Sequence, residues 1–270
     1  MIPQIIAHRG ASYLAPENTL AAFRKAMEIG ADGVEMDVQK TLDGGLVIHH
    51  DYIIDLHTDI SGRIYDMTEG ELKDLDFGSW KDVAYKDEKI ATLAEALALC
   101  RSMEGCTVQL ELKSTMDNDP EFVPRVVDAI RAADIADRLV LISFNHDLLR
   151  QAKALMPQLR VGVLLYGAFE SMVLPPPVIW KDLGLVNGME GEEAALDEEL
   201  AGTDDFLLEE TVKKEQARQL REAVALLSEV DREIIRRFYD LCQTAPEIAA
   251  VLGLTPSAVR MRLVRSREAI

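Results

Sequence analysis

Two histidines, three carboxylates and two basic residues stand out by type and position: His8 and His50, Glu35, Asp37 and Glu111, Arg9 and Lys113. Imidazoles exchange protons near neutral pH, so a pair of them can supply an acceptor and a donor to one reaction. Carboxylates brought together repel, and each is pushed toward its protonated form unless a cation sits among them. All-oxygen ligands suit Mg²⁺ or Ca²⁺ better than Zn²⁺. Arg9 and Lys113 offer fixed positive charge for an anionic group, most naturally a phosphate. Together these parts describe cation-assisted phosphoester hydrolysis.

The elements that must position these groups are short β-branched runs alternating with helical patterns. Strands are expected at 3–7, 33–39, 45–50, 107–113, 139–144 and 160–166. His8 and Arg9 follow the first, Glu35 and Asp37 lie in the second, His50 and Asp51 close the third, and Glu111 and Lys113 end the fourth. Strand periodicity is two, so Glu35 and Asp37 share a face, as do Glu111 and Lys113. Helices are expected at 19–30, 92–103, 119–135 and 147–156, where apolar residues recur at helical spacing. Strand and helix in repetition imply a parallel sheet with helical crossovers, and in a parallel barrel reacting groups collect at the C-terminal rim. Residues 51–91 break the rhythm and read as an inserted loop region with a short helix near 68–75.

The rest of the chain has another character. Three consecutive prolines at 175–177 exclude a helix interior, and 188–205 is strongly acidic with little apolar content, as in a solvated linker. From about Glu209 every segment is helical in pattern, with Ser228 placed to cap one helix. The stretch "APEIAAVLGLTPSAVRMRLVRSREAI" has a helix–turn–helix plan: Ile248, Ala249 and Leu252 anchor the first helix, Gly253 allows the turn, and Thr255 caps the second. Val259 and Leu263 then face inward, and Arg260, Arg262 and Arg265 could reach DNA phosphates or guanine edges. This divides the chain into a barrel at 1–175, a Pro-rich then acidic linker at 176–208, and a helical domain at 209–270. The net charge of −18 argues against the whole molecule coating nucleic acid or an anionic membrane. Cys100, Cys106 and Cys242 lack metal-finger spacing and read as reduced structural residues. With no leader-like or membrane-spanning segment, the expected location is the cytoplasm.

The motifs "AHRG", "PENT", "VEMDVQ", "VIHHD" and "LELK", in this order and spacing, resemble the glycerophosphodiester phosphodiesterase family over about residues 1–167. The resemblance implies an eccentric TIM barrel with an inserted region after its third strand, and "LDFGSW" at 75–80 is similar to that region. It implies His8 and His50 as the acid/base pair, Glu35, Asp37 and Glu111 as ligands of Mg²⁺ or Ca²⁺, and Arg9 and Lys113 as phosphate contacts. Glu17 and Asn18 would brace the first loop. The implied reaction belongs to lipid and glycerol metabolism and releases glycerol 3-phosphate and an alcohol from a small glycerophosphodiester. Two departures are visible: Leu56 stands where the family carries an arginine, and six strands are expected instead of eight, with "VIW" at 178–180 the one candidate for a seventh. The fold class expected is therefore α/β, an incomplete TIM-type barrel of about six parallel strands followed by a small all-α helix–turn–helix domain.

Residues 209–270 resemble the C-terminal DNA-reading domain of a bacterial extracytoplasmic-function sigma factor, which implies DNA and RNA polymerase as partners. Three readings follow. The chain is a metal-dependent glycerophosphodiesterase with an appended helical domain, a DNA-binding regulator with an inactive or sensory barrel fragment, or a fusion of two truncated genes with no selected function.

Overall fold

The computed structural model describes residues 4–114, 119–164, 227–239 and 241–269. The linker at 176–208, the "VIW" strand candidate and the helical pattern expected over 209–226 lie outside them. The described strands are β1 (Ile6–Ala7), β2 (Gly33–Lys40), β3 (Leu46–Ile48), β4 (Ala91–Thr92), β5 (Thr107–Leu112), β6 (Leu139–Ser143) and β7 (Arg160–Val163). They form one sheet in the order β4-β3-β2-β5-β6-β7, with β1 beside the first residues of β2.

The sheet is mostly parallel, as expected, through β1, β2, β5, β6 and β7. The third strand differs: β3 runs antiparallel to β2, and β4 antiparallel to β3. The reason is chain length. Five residues, Thr41 to Gly45, separate β2 from β3, whereas a parallel crossover needs a dozen or more. Asp43 and Gly44 make the turn, Gly44 with φ of 82°.

Helices α1 (Leu20–Glu28), α3 (Leu93–Ser102), α4 (Phe122–Ala133) and α5 (His146–Leu155) cover the sheet, and α2 (Glu69–Asp74) lies in the inserted region. Capping fixes where they start. The Thr19 side chain accepts from Ala22 N, Thr68 and Thr92 each form a capping box with a glutamate three residues on, and Asn145 accepts from Asp147 N. Val34, Met36 and Val38 of β2 join Val108, Leu110 and Leu112 of β5 in the main core, with Phe23, Leu97, Phe122 and Leu149 packed over them from the helices. The alternate residues of β2, namely Glu35, Asp37 and Gln39, are thereby committed to the other face, and all three are buried.

Three helices complete the described chain: α6 (Glu229–Tyr239), α7 (Ala245–Leu252) and α8 (Pro256–Ala269). Ser228 caps α6 by accepting from Asp231 N at 3.1 Å, and Gly253 ends α7 in the left-handed conformation. Ile234, Phe238, Ile248, Val259 and Leu263 form a second core, and Ile53 of the inserted region is buried within it. The helical domain therefore rests on the barrel. Asp55 Oδ2 accepts from Ala245 N at 2.7 Å, at the start of α7, and Arg63 Nε donates to the carbonyl of Cys242 at 3.0 Å. Arg63 also pairs with Glu247. No disulfide joins the cysteines.

Candidate active site

Strand register assembles the carboxylates. Asp37 and Glu111 are partners across β2 and β5, and Glu35 lies two residues earlier on the same face of β2. One oxygen from each of Glu35, Asp37 and Glu111 lies within 4.8 Å of the others, and all three residues are buried. Ala7 pairs with Val34, so the next residue, His8, falls beside Glu35, with Nε2 to Oε2 at 3.8 Å. From the other end of β2, the hydrogen bond from His49 N to the carbonyl of Asp37 (2.9 Å) brings in the His49–His50–Asp51 segment.

The carboxylates and the basic groups are each held by a partner that can be named. Arg9 has φ of 56°, and its backbone N donates to Glu35 Oε2 at 2.9 Å. Its guanidinium donates to Glu17 Oε1 at 2.9 Å and lies 3.8 Å from Asp37 Oδ2. Gly10 makes that loop possible, because its φ is 75° and a Cβ there would meet Ala22 at 2.7 to 2.9 Å. Asn18 donates to Asp37 Oδ2 at 2.8 Å and accepts from Asp37 N. Glu17 and Asn18 thus brace Arg9 and Asp37, in keeping with the motif they belong to. Lys113 Nζ bridges Asp37 Oδ1 at 2.9 Å and Glu111 Oε1 at 2.7 Å.

The two histidines sit in different surroundings. His8 is exposed, with 69% of its side chain open to solvent. Partial burial and the Arg9 charge together lower its pKa below the ordinary imidazole value. His50 is half-buried, and its Nδ1 lies 2.7 Å from Asp51 Oδ1. Burial pushes the Asp51 carboxyl up, but the His50 hydrogen bond and the nearby His57 and His49 rings outweigh it and hold Asp51 below the usual carboxylate range. Asp51 is therefore ionised, Nδ1 of His50 carries a proton toward it, and Nε2 is left for other work.

The carboxylates do not all titrate as three crowded acids should. Glu35 does: burial and the charges of Asp37 and Glu111 push it up to about 8, against the hydrogen bond from Arg9 N. Glu111 is also raised, chiefly by burial. Asp37 goes the other way. Burial pushes it up, but Lys113, His50 and the hydrogen bonds from Asn18 and Lys113 outweigh burial and hold it low. The general expectation of upward shifts fails at Asp37 because the Lys113 ammonium touches it. The donor set fits a hard divalent cation: three buried carboxylate oxygens within reach of one another, one of them holding a proton that a second positive charge would expel.

Several residues of the site escaped the sequence reading. Gln39 Nε2 reaches the carbonyls of His49, His50 and Asp51 at 2.7, 3.1 and 2.9 Å, pinning the His50 loop. Its signal was present, since Gln39 continues the Glu35–Asp37 alternation along β2. His49 and His57 form a buried pair behind the site. The carbonyl of Asp51 can only accept from His49 Nδ1 (2.7 Å), so His49 Nε2 accepts from His57 Nδ1 at 3.0 Å. The Trp80 ring packs edge-on against His57 with centroids 4.5 Å apart. Leu56, where an arginine was expected, packs against the helical core together with Tyr52.

The arginines assigned to DNA lie apart from this site. Arg260 hydrogen-bonds Ser61 of the inserted region, and Arg262 pairs with Asp231 of α6 at 2.7 Å. Arg265 lines a shallow depression between α6 and α8 with Asp231 and Arg262.

Fold and site together define an α/β protein of the TIM-barrel type with three buried carboxylates and two histidines at its strand ends. Residues 8–174 match the glycerophosphoryl diester phosphodiesterase family, more than half of the chain, and the chain belongs to that family. Residues 217–270 match sigma-70, region 4. A glycerophosphodiester phosphodiesterase of Caldanaerobacter subterraneus is 41% identical over 160 residues, covering 59% of this chain and 65% of that protein. The chain thus spans just under two thirds of that relative's length. The structure of an Oleispira antarctica phosphodiesterase in complex with the product sn-glycerol-3-phosphate superposes with a TM-score of 0.61 at 38% identity, covering 68% of this chain and 72% of that one. A glycerophosphodiester phosphodiesterase from Agrobacterium tumefaciens gives 0.54 at 30% identity, over 59% and 66%. No helix among the described residues is long and apolar enough to cross a membrane.

Proposed function

We propose that the chain hydrolyses glycerophosphodiesters to glycerol 3-phosphate and an alcohol, using a divalent cation, Mg²⁺ or Ca²⁺, and acid/base work by His8 and His50. The observation that carries this reading is the convergence of Glu35, Asp37, Glu111, His8, His50, Arg9 and Lys113 at the ends of adjacent strands. The relatives named above support the glycerophosphodiester hydrolysis, and the cation and histidine roles rest on the arrangement of the residues.

In this reading Glu35, Asp37 and Glu111 would hold the cation, which supplies charge neutralisation on the phosphate oxygens. Arg9 and Lys113 contact the phosphate from the side of Asp37. One imidazole takes a proton from the attacking water as its oxygen bonds to phosphorus, and the other gives a proton to the leaving alcohol oxygen as the P–O bond breaks. Atoms balance as diester plus water giving glycerol 3-phosphate plus alcohol. Asp51 and Gln39 act behind His50 by orienting its ring and fixing its loop.

The test is release of glycerol 3-phosphate from glycerophosphocholine by the full chain with Mg²⁺ or Ca²⁺. Turnover that disappears with chelator and in His8→Ala supports the reading, and folded protein with no turnover refutes it. A second reading rests on the match to sigma-70, region 4 and on the arginines of α8: the helical domain contacts promoter DNA, with RNA polymerase as a further partner. Binding of duplex DNA that weakens steeply with salt would support it.

A further inference from the structure

The helical domain reaches the catalytic pocket. A cavity of about 260 Å³ is lined by His50, Asp51, Glu111 and Lys113 together with Phe238, Tyr239 and Cys242 of the helical domain. Tyr52 and Phe144 of the barrel also line it, so four aromatic residues border one cavity. Two of them come from an element that the catalytic motifs do not include.

The wall is firmly built. Tyr52 Oη donates to the carbonyl of Ser114 at 3.0 Å, tying the loop after β3 to the end of β5 across the opening. Phe238 is buried in the core that also contains Ile53, and its ring meets that of Tyr239 edge-to-face, with centroids 5.0 Å apart and planes at 78°. Tyr239 remains 39% exposed at the rim. The hydrogen bonds of Asp55 and Arg63 to the start of α7 and to Cys242 hold α6 and its neighbours against the pocket.

Aromatic faces attract cations, most strongly when the cation is poorly hydrated, and an enclosure of rings suits a quaternary ammonium group. The ionised Asp51 lines the same cavity and adds negative potential, while Lys113, also in the lining, is the contact for a phosphate. We propose that Tyr52, Phe144, Phe238 and Tyr239 form the subsite for the released alcohol, and that it selects a quaternary ammonium alcohol over a neutral one. This rests on the diesterase reading and deepens it: the helical domain supplies half of the specificity wall.

The experiment uses the full chain and two probes of one shape, choline and its uncharged carbon isostere 3,3-dimethylbutanol. Calorimetric titration should show choline binding about tenfold more tightly than the isostere, with that preference lost in Tyr239→Leu. Tyr52→Leu, on the barrel side of the mouth, should lose it too, which guards against a fold defect confined to α6. Equal binding of the two probes, or a preference untouched in both variants, overturns the subsite. Glycerol 3-phosphate release from glycerophosphocholine and glycerophosphoglycerol separates the two claims. Release with equal kcat/KM for both overturns the subsite and leaves the diesterase reading standing. Choline preference without any release removes the diesterase reading and leaves the aromatic residues as a quaternary-ammonium site, no longer one for a released alcohol.

Discussion

Charged residues are held in opposite ways in the two parts of this chain. Around Asp37, buried in the sheet, Lys113, Asn18 and Arg9 converge on one carboxylate, and each is itself fixed by strand register or by a braced loop. On α8, Arg262 is 40% exposed and meets Asp231 at 2.7 Å. Exposed pairs of that kind contribute little, because water and side-chain entropy offset the attraction. Preorganisation comes from the sheet, whose spacing leaves no freedom, while the helical cations are set only by where long side chains settle. The sheet gathers the candidate site, and the helices carry exposed cations.

Breaking the sheet side should have the largest effect. His50→Ala should lower turnover of glycerophosphocholine by about 10²–10⁴-fold, as read from initial rates with saturating cation. A drop of less than tenfold would show that His50 does not carry a proton.

The supports come next. Gln39→Leu leaves the carbonyls of His49, His50 and Asp51 without their shared donor, and should cost about 1–3 kcal/mol in urea unfolding. Gly10→Ala forces a side chain into a left-handed position against Ala22 and should cost about as much, about 1–3 kcal/mol. Neither change removes a catalytic group, so a variant with normal stability and normal rate would contradict the bracing described for these loops.

The helical side should yield the smallest changes. Glu247 is lowered from 4.5 to about 2 by its hydrogen bond with Arg63. A depressed carboxylate stabilises the folded state above its unfolded value, so this contribution is complete above pH 4.5 and fades as pH falls toward 2. Glu247→Gln should flatten that part of the acid-unfolding profile by about 0.2–1 kcal/mol, as suits a partly exposed pair. An unchanged profile would mean that Arg63 and Glu247 do not tie the domains in solution.

How much of this was legible in the sequence depends on range. Alternation along 33–40 placed Glu35 and Asp37 on one face, and four strand ends in succession announced the site. Ser228 and Thr255 marked helix starts, and α6 and α8 begin where those residues put them. The direction of β3 was misread, although five residues between two strands already excluded a crossover. Asp37 was misjudged because which carboxylate Lys113 would touch depends on the pairing of β2 with β5. The docking of α6 and α7 on Ile53, Asp55 and Arg63 joins segments about 180 residues apart, and no local pattern shows it. Leu56 registered only as a missing arginine, yet in the structure it belongs to that interface.

The central claim is that β2 and β5 present Glu35, Asp37 and Glu111 as one cation site. Titration of Ca²⁺ and Mg²⁺ into the full chain at pH 6 and pH 9 tests it most directly. Glu35 is raised to about 8, so in the cation-free chain it keeps its proton at the lower pH and has lost it at the higher. The account therefore predicts weaker binding with proton release at pH 6, tighter binding without it at pH 9, and no binding in Asp37→Asn. Binding that is indifferent to pH and survives Asp37→Asn, or no binding at either pH, would contradict it.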